Sequence, residues 1–261
     1  MSLDEDNHLS CEISTPSGWT ETDKTVALVH GLGGSHDSNY MVRLARKLYL
    51  KNHKVVRINL RGCGSGKGLS RLPYNAGTSS DIRLVLETLK QQNPVSEIIL
   101  VGFSLGGNII LKLAGELGES AKSLVKTFIA VCAPLDLAQT LRVVEKKRHA
   151  FYHSYYLKNM CQQIPAWIDK RVRSIYEFDE VITAPLWGYR GAHDYYHQCS
   201  SIRFLPKIQH DTHMVFAEDD PFVSVEDYKD AVYSDKVTLH IEKHGGHMGY
   251  LMKDGFGYSR W

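Results

Sequence analysis

Short apolar runs rich in β-branched residues recur along the 261 residues, and most are followed by a longer stretch with helical spacing. Thr25-Val-Ala-Leu-Val-His30, Lys54-Val-Val-Arg-Ile-Asn-Leu60, Glu97-Ile-Ile-Leu-Val101 and Thr127-Phe-Ile-Ala-Val-Cys132 read as strands, and two more follow at 213–217 and 237–241. Residues 40–51, 80–91 and 106–115 read as helices; the second opens on a good N-cap candidate and carries an apolar stripe at Ile82, Val85, Leu86 and Leu89. Such alternation specifies an α/β fold, because parallel strands need a crossover long enough to return over the sheet. Continuous apolar runs predict strands covered on both faces.

Residues 137–207 break the rhythm, being far longer than a crossover needs. They hold 12 of the 26 aromatic residues, which is too apolar for a linker. The expectation is a mostly helical cap packed over one end of a mostly parallel central sheet, lining an apolar substrate pocket.

Net charge is +2, with 31 Lys and Arg against 29 Asp and Glu, so the basic field of a phosphate-gripping protein is absent and no nucleic-acid partner is expected. No run of 18 apolar residues exists, which argues against a membrane span. The opening MSLDEDNHLS lacks the basic-then-apolar layout of a signal peptide. Cys11, Cys63, Cys132, Cys161 and Cys199 are scattered, with no C-x-x-C pair, against both a disulfide scaffold and a zinc cluster. A cytoplasmic setting is expected.

Gly102-Phe-Ser104-Leu-Gly106 follows a strand and precedes a helical pattern. Alone, G-x-S-x-G is weak; in that context it matches a nucleophile elbow, where a tight turn leaves the serine at an exposed tip. Serine needs a base to take its proton. His247, in His244-Gly-Gly-His-Met-Gly249, follows a late strand on a loop whose glycines let it swing back, and His244 is the runner-up. An acid must hold the imidazole. Asp220 is favoured in Glu218-Asp-Asp-Pro-Phe222 because Pro221 fixes the turn, leaving Asp219 to cap or face solvent. The order Ser104, Asp220, His247 is the hydrolase order. For the oxyanion, Leu105 supplies one N–H and Leu32, in the loop His30-Gly-Leu-Gly-Gly34, the other, with His30 bracing that loop.

These motifs, with Asn59-Leu-Arg-Gly-Cys-Gly64 and Phe178-Asp-Glu-Val-Ile-Thr-Ala-Pro185, make the sequence resemble the α/β-hydrolase superfamily and, within it, the YheT-type carboxylesterase branch. The 178–185 stretch is the branch-specific one. The resemblance implies one domain over 1–261, Ser104 as nucleophile, Asp220 as acid and His247 as base. It also implies short- to medium-chain acyl esters as substrates and no cofactor. Branch members usually have a longer region before the first His-Gly motif; here 29 residues precede His30, so early antiparallel strands are expected to be shortened or missing.

The expected activity is cleavage of carboxylic esters through an acyl-enzyme on Ser104. Acyl transfer to an alcohol and a non-catalytic binding module are the alternatives. The segment 61–68 fails both the phosphate-loop and dinucleotide spacings and reads as a mobile loop beside the pocket. His193 and His197 stand one helical turn apart, but Asp194 replaces the glutamate a metalloprotease needs and no third ligand is evident, so they read as a polar helix face. Lys146, Lys147, Arg148, Lys158, Lys170, Arg171 and Arg173 make part of the insertion basic, which suits weak peripheral contact with anionic lipid.

Overall fold

The run Thr25–Val29 is buried at every position and forms strand β2 at the heart of a seven-stranded sheet. The computed structural model of the chain describes residues 1–169, 171–254 and 257–260, with 251–254 and 257–260 as backbone alone; Lys170 lies outside the described residues. The other strands are β1 (Cys11–Ser14), β3 (Lys54–Ile58), β4 (Ile98–Phe103), β5 (Thr127–Val131), β6 (Thr212–Ala217) and β7 (Val237–Glu242), in spatial order β1-β3-β2-β4-β5-β6-β7. All pairs are parallel except β1 with β3, where Cys11 faces Ile58. Thus one short antiparallel strand does precede β2 and covers the β3 edge.

Period-two alternation sends Val26 and Leu28 to one face, where they pack with Met41 and Ala45 of helix α1 (Asn39–Leu50). Ala27 and Val29 face the larger core, with Ile82 and Leu86 of α2 (Ser79–Gln92) and Ile109 and Leu113 of α3 (Leu105–Leu117). Helix α2 begins one residue earlier than its pattern suggests and has no side-chain cap: the Thr78 hydroxyl donates to the Asn75 carbonyl instead (2.8 Å).

Between β5 and β6 run α4 (Leu137–Val144), α5 (Ala150–Gln163), α6 (Ile175–Phe178), a π-helical turn at Asp179–Thr183, α7 (Ala184–Trp187) and α8 (Ala192–Cys199). Buried Asn108 ties this segment to α3. Its Nδ2 donates to the carbonyls of Cys199 (2.9 Å) and Ala76 (3.3 Å), and its Oδ1 accepts from Ser201 N–H (2.8 Å). After β6 come a loop and α9 (Val225–Asp230), and the described chain ends in a hairpin, β8 (Leu251–Asp254) with β9 (Gly257–Arg260), that the sequence pattern did not signal.

One expectation is corrected. Strand β7 is not covered on both faces: it lies at the sheet edge, and its residues alternate between half-buried and exposed. The segment 61–68 lies beside the pocket, with Gly62 packed against the carbonyl of pocket-lining Gln163, and it is anchored at its start. Buried Arg61 grips buried Asp81 through two 2.6 Å hydrogen bonds and lies over the Trp187 ring, while Cys63 is fully buried. Removing one partner leaves an uncompensated buried charge, so Arg61→Ala is expected to lower unfolding free energy by about 3–5 kcal/mol in chemical denaturation, and the paired Arg61→Met, Asp81→Leu exchange to recover most of it.

Candidate active site

Strand β4 turns into α3 at Ser104, whose backbone is left-handed (φ 49°, ψ −118°). For a residue with a Cβ that conformation costs about 1–2 kcal/mol, so the surroundings must enforce it. They do so from both sides: Ser104 N–H donates to the Val131 carbonyl (2.8 Å), and the Ser104 carbonyl accepts from Asn108 N–H (3.1 Å). A Cβ on Gly106 would stand 2.5 Å from the carbonyl oxygens of Val29 and His30, so only glycine lets α3 pass this close to β2. A Cβ on Gly31 would stand 3.1 Å from Ser104 Cβ, which brings the 30–34 loop against the serine.

Three side chains from three separate loops meet here. His247 Nε2 lies 2.9 Å from Ser104 Oγ, and His247 Nδ1 lies 2.8 Å from Asp220 Oδ2. The Asp220 side chain is fully buried, and its other oxygen accepts from the N–H groups of Phe222 (2.9 Å) and Val223 (3.1 Å). Pro221, having no N–H, sits between. The Phe222 ring meets the His247 ring edge-on at 5.1 Å. Asp219 points elsewhere, accepting from Gly245 N–H (2.9 Å) and Gly246 N–H (2.7 Å), and so pins the turn that carries His247. His244 is solvent-exposed beside Asp219 and takes no part in the cluster.

The 30–34 loop is held amide by amide. Gly31 N–H donates to Tyr40 OH (2.9 Å) and Gly33 N–H to Tyr74 OH (3.0 Å), while the Gly34 carbonyl accepts from Gln163 Nε2 (3.0 Å). Between them, Leu32 N–H has no acceptor among the described residues, and the same holds for Leu105 N–H at the start of α3. Both leucines line one pocket with Ser104 and His247. His30 braces the loop: its Nε2 accepts from Leu60 N–H (3.1 Å), so Nδ1–H donates to the Gly31 carbonyl (2.8 Å), and burial pushes the ring's pKa down to about 4. The pocket's remaining wall is largely apolar and comes mostly from 137–207, including Leu141, Met160, Ile164, Ile175 and Phe178.

A family profile described as alpha/beta hydrolase fold matches residues 24–207. The chain belongs to the α/β-hydrolase family. Among curated relatives of this chain, YheT of Escherichia coli is 30% identical over 240 residues, covering 87% of this chain and 70% of that protein, in keeping with the YheT-type resemblance. Monoacylglycerol lipase of Saccharomyces cerevisiae is 29% identical over 254 residues, covering 90% of this chain. A medium-chain fatty acid ethyl ester synthase/esterase of the same yeast is 27% identical over 272 residues. The chain spans 56% and 59% of the lengths of these two yeast proteins. The hydrolase fold is also that of the Pyrococcus furiosus esterase Pf2001, with a TM-score of 0.59 at 17% identity, covering 93% of this chain and 85% of that one.

Sequence reading missed three features of this site. Cys132 adopts a left-handed backbone (φ 47°) at the end of β5, with its Sγ 3.2 Å from Tyr250 OH. Its Sγ, an Asp220 oxygen and a His247 nitrogen lie within 4.8 Å of one another. Burial, then neighbouring Asp220, push the thiol up to about 12, which disfavours the thiolate a metal would need. Tyr40 and Tyr74, as acceptors for loop amides, carried no local signal. Asp179 is the third. Buried in the pocket wall, it accepts from Thr183 Oγ1 (2.7 Å) and Tyr196 OH (2.8 Å), and burial raises its pKa from 3.8 to about 7. The exposed faces of His193 and His197 lie outside the pocket.

An acid whose folded pKa lies above its unfolded one binds its proton more tightly when folded, so its contribution to stability falls as pH rises from about 4 to about 7 and is level above. Moving a carboxyl this far is equivalent to about 4 kcal/mol at most. Asp179→Asn is therefore expected to gain stability relative to the parent between pH 4 and pH 7.5, read as the difference between their denaturation midpoints; a pH-independent difference would contradict the displaced pKa.

Proposed function

We propose that this hydrolase cleaves carboxylic esters of short- to medium-chain acyl groups through an acyl-enzyme on Ser104. The observation that carries this reading is the unbroken relay from Asp220 through His247 to a serine held in a strained turn. Ser104 Oγ attacks the ester carbonyl carbon as His247 Nε2 takes its proton, and Asp220 stabilises the imidazolium that forms. Oxygen charge develops toward the N–H groups of Leu32 and Leu105, where the positive end of α3 adds its field; one such donor is typically worth about 10²–10³ in rate. Collapse breaks the bond to the alcohol oxygen, which leaves with the proton from His247. Water then attacks the acyl carbon, gives its proton to His247, and the acid departs with Ser104 restored.

Residues 137–207 act in this proposal as a cap on a single hydrolase domain. An apolar wall suits an acyl chain, and an uncharged ester suits a near-neutral protein. Esterase and lipase relatives support an ester or lipid substrate. Exposed Phe151, Tyr152, Tyr155 and Trp167 lie in the same segment as exposed Lys146, Lys147, Arg148 and Lys158, and this combination supports weak peripheral contact with anionic lipid. Among the described residues no helix is long and apolar enough to cross a membrane. Five unpaired thiols suit a cytoplasmic setting. A second reading, acyl transfer to an alcohol in place of water, is favoured by the ethyl ester synthase/esterase relative, and product analysis with added ethanol separates it from hydrolysis.

A fluorophosphonate probe is expected to label Ser104, and Ser104→Ala is expected to reduce turnover of p-nitrophenyl butyrate by at least about 10⁴ with the fold retained. Label elsewhere, or a fully active variant, would remove the assignment; no label would favour a binding module. Asp220→Asn is expected to lower kcat by about 10³–10⁴ by losing the acceptor for His247 Nδ1–H. Asp219→Ala, which only loosens the 245–246 turn, is expected to cost about ten- to a hundredfold; equal losses would mean the two carboxylates had been assigned wrongly.

A further inference from the structure

Asp179 has no part in the relay, yet it occupies the wall of the same pocket at 6% exposure. Burying a carboxyl is unfavourable unless a partner compensates it. Two other buried carboxyls are compensated, Asp81 by Arg61 and Asp220 by His247 and two backbone N–H groups, while buried Asp227, whose Oδ2 has no partner among the described residues, lies outside the pocket. Asp179 has two neutral hydroxyls, Thr183 Oγ1 and Tyr196 OH, and no cation pairs with it among the described residues. An apolar acyl pocket has no need of such a group. The carboxyl stands on the π-helical turn Asp179–Thr183, a backbone irregularity that is frequent at functional sites. Another pocket-lining residue, Thr140, has its Oγ1 buried with no partner among the described residues.

The geometry points to Asp179 as the anchor of a polar subsite that selects esters carrying a hydroxyl group. Thr183 and Tyr196 occupy one lone pair on each carboxyl oxygen, and a carboxylate offers about four such positions, so each oxygen keeps one for a ligand. A hydroxyl fits either protonation state, donating to the carboxylate or accepting from the acid, whereas an ether suits only the acid and an ammonium only the anion. The hydroxyl can reside in the alcohol half, as in a glycerol monoester, or along the acyl chain. Only the ligand class here rests on the esterase reading; the subsite itself is tested by binding.

The experiment titrates the Ser104→Ala protein at pH 8.5 with two matched pairs by calorimetry. One pair is 1-O-octylglycerol and its di-O-methyl ether, and the other is methyl 8-hydroxyoctanoate and methyl 8-methoxyoctanoate. In at least one pair the hydroxyl ligand is expected to bind about tenfold or more tightly, as a hydrogen bond to a charged group predicts, and the pair that responds identifies which half carries the hydroxyl. Adding Asp179→Leu is expected to bring that ratio below threefold, whatever happens to the absolute affinities. Should Asp179→Leu not fold, Asp179→Asn, which keeps the shape and loses the charge, is expected to lower the ratio at least threefold. Ratios near one in both pairs, or a ratio that Asp179 substitution leaves unchanged, overturn the subsite, since a purely structural aspartate would not distinguish a hydroxyl from its methyl ether. Hydrolysis by the parent protein with ratios of one would leave the esterase reading intact and remove the subsite. Selective binding without hydrolysis would do the reverse.

Discussion

The contact on which the site depends is a backbone-to-backbone one, the passage of α3 at Gly106 against the carbonyls of Val29 and His30 at the end of β2. No side chain fits in that gap, so two loops far apart in sequence are pressed together. One carries Ser104 and Leu105; the other carries Gly31 and Leu32. Leu32 and Leu105 come to line one cavity, and the hydrogen bonds that Gly31 and Gly33 donate to Tyr40 and Tyr74 then decide which amides of the second loop remain available. The unfavourable backbone of Ser104 persists because β5 and α3 hold it at both ends.

On this frame the two carboxylates of the Asp219-Asp220 pair divide the work by register alone. One residue reaches back to the imidazole, and the next one before it holds the turn that presents the imidazole. The insertion between β5 and β6 adds the apolar wall, and it is fastened to the frame by Asn108, three residues into α3. The same helix thus positions the serine at its first turn and secures the segment that lines its pocket.

Much of this was legible locally. A strand, a tight Gly-flanked turn and a helix announce Ser104 within ten residues, and the choice of Asp220 followed from the rigid Pro221. The choice of Leu32 is supported by an occupancy the sequence could not display, since it depends on tyrosines from α1 and from residue 74. What escaped the sequence was whatever tertiary contact creates. Asp179 stands in the 178–185 stretch with no local sign of burial, which comes only when α8 closes over it with Tyr196. Arg61 reads as part of a glycine-rich mobile loop until Asp81 on α2 comes within reach. Strand β7 has the composition of a covered strand, and only its place at the sheet edge exposes alternate residues.

That edge position has a dynamic consequence. The loop bearing His247 leaves from β7, which has a single neighbouring strand, whereas Ser104 leaves from β4 in the middle of the sheet. Local opening begins where burial is thinnest, so the imidazole sits on a unit of lower opening free energy than the serine it contacts. Hydrogen exchange through the last strand of the sheet would then proceed while the central strands remain protected. The contacts of His247 with Ser104 and Asp220 thus depend on the sheet's edge, whereas the core depends on its centre.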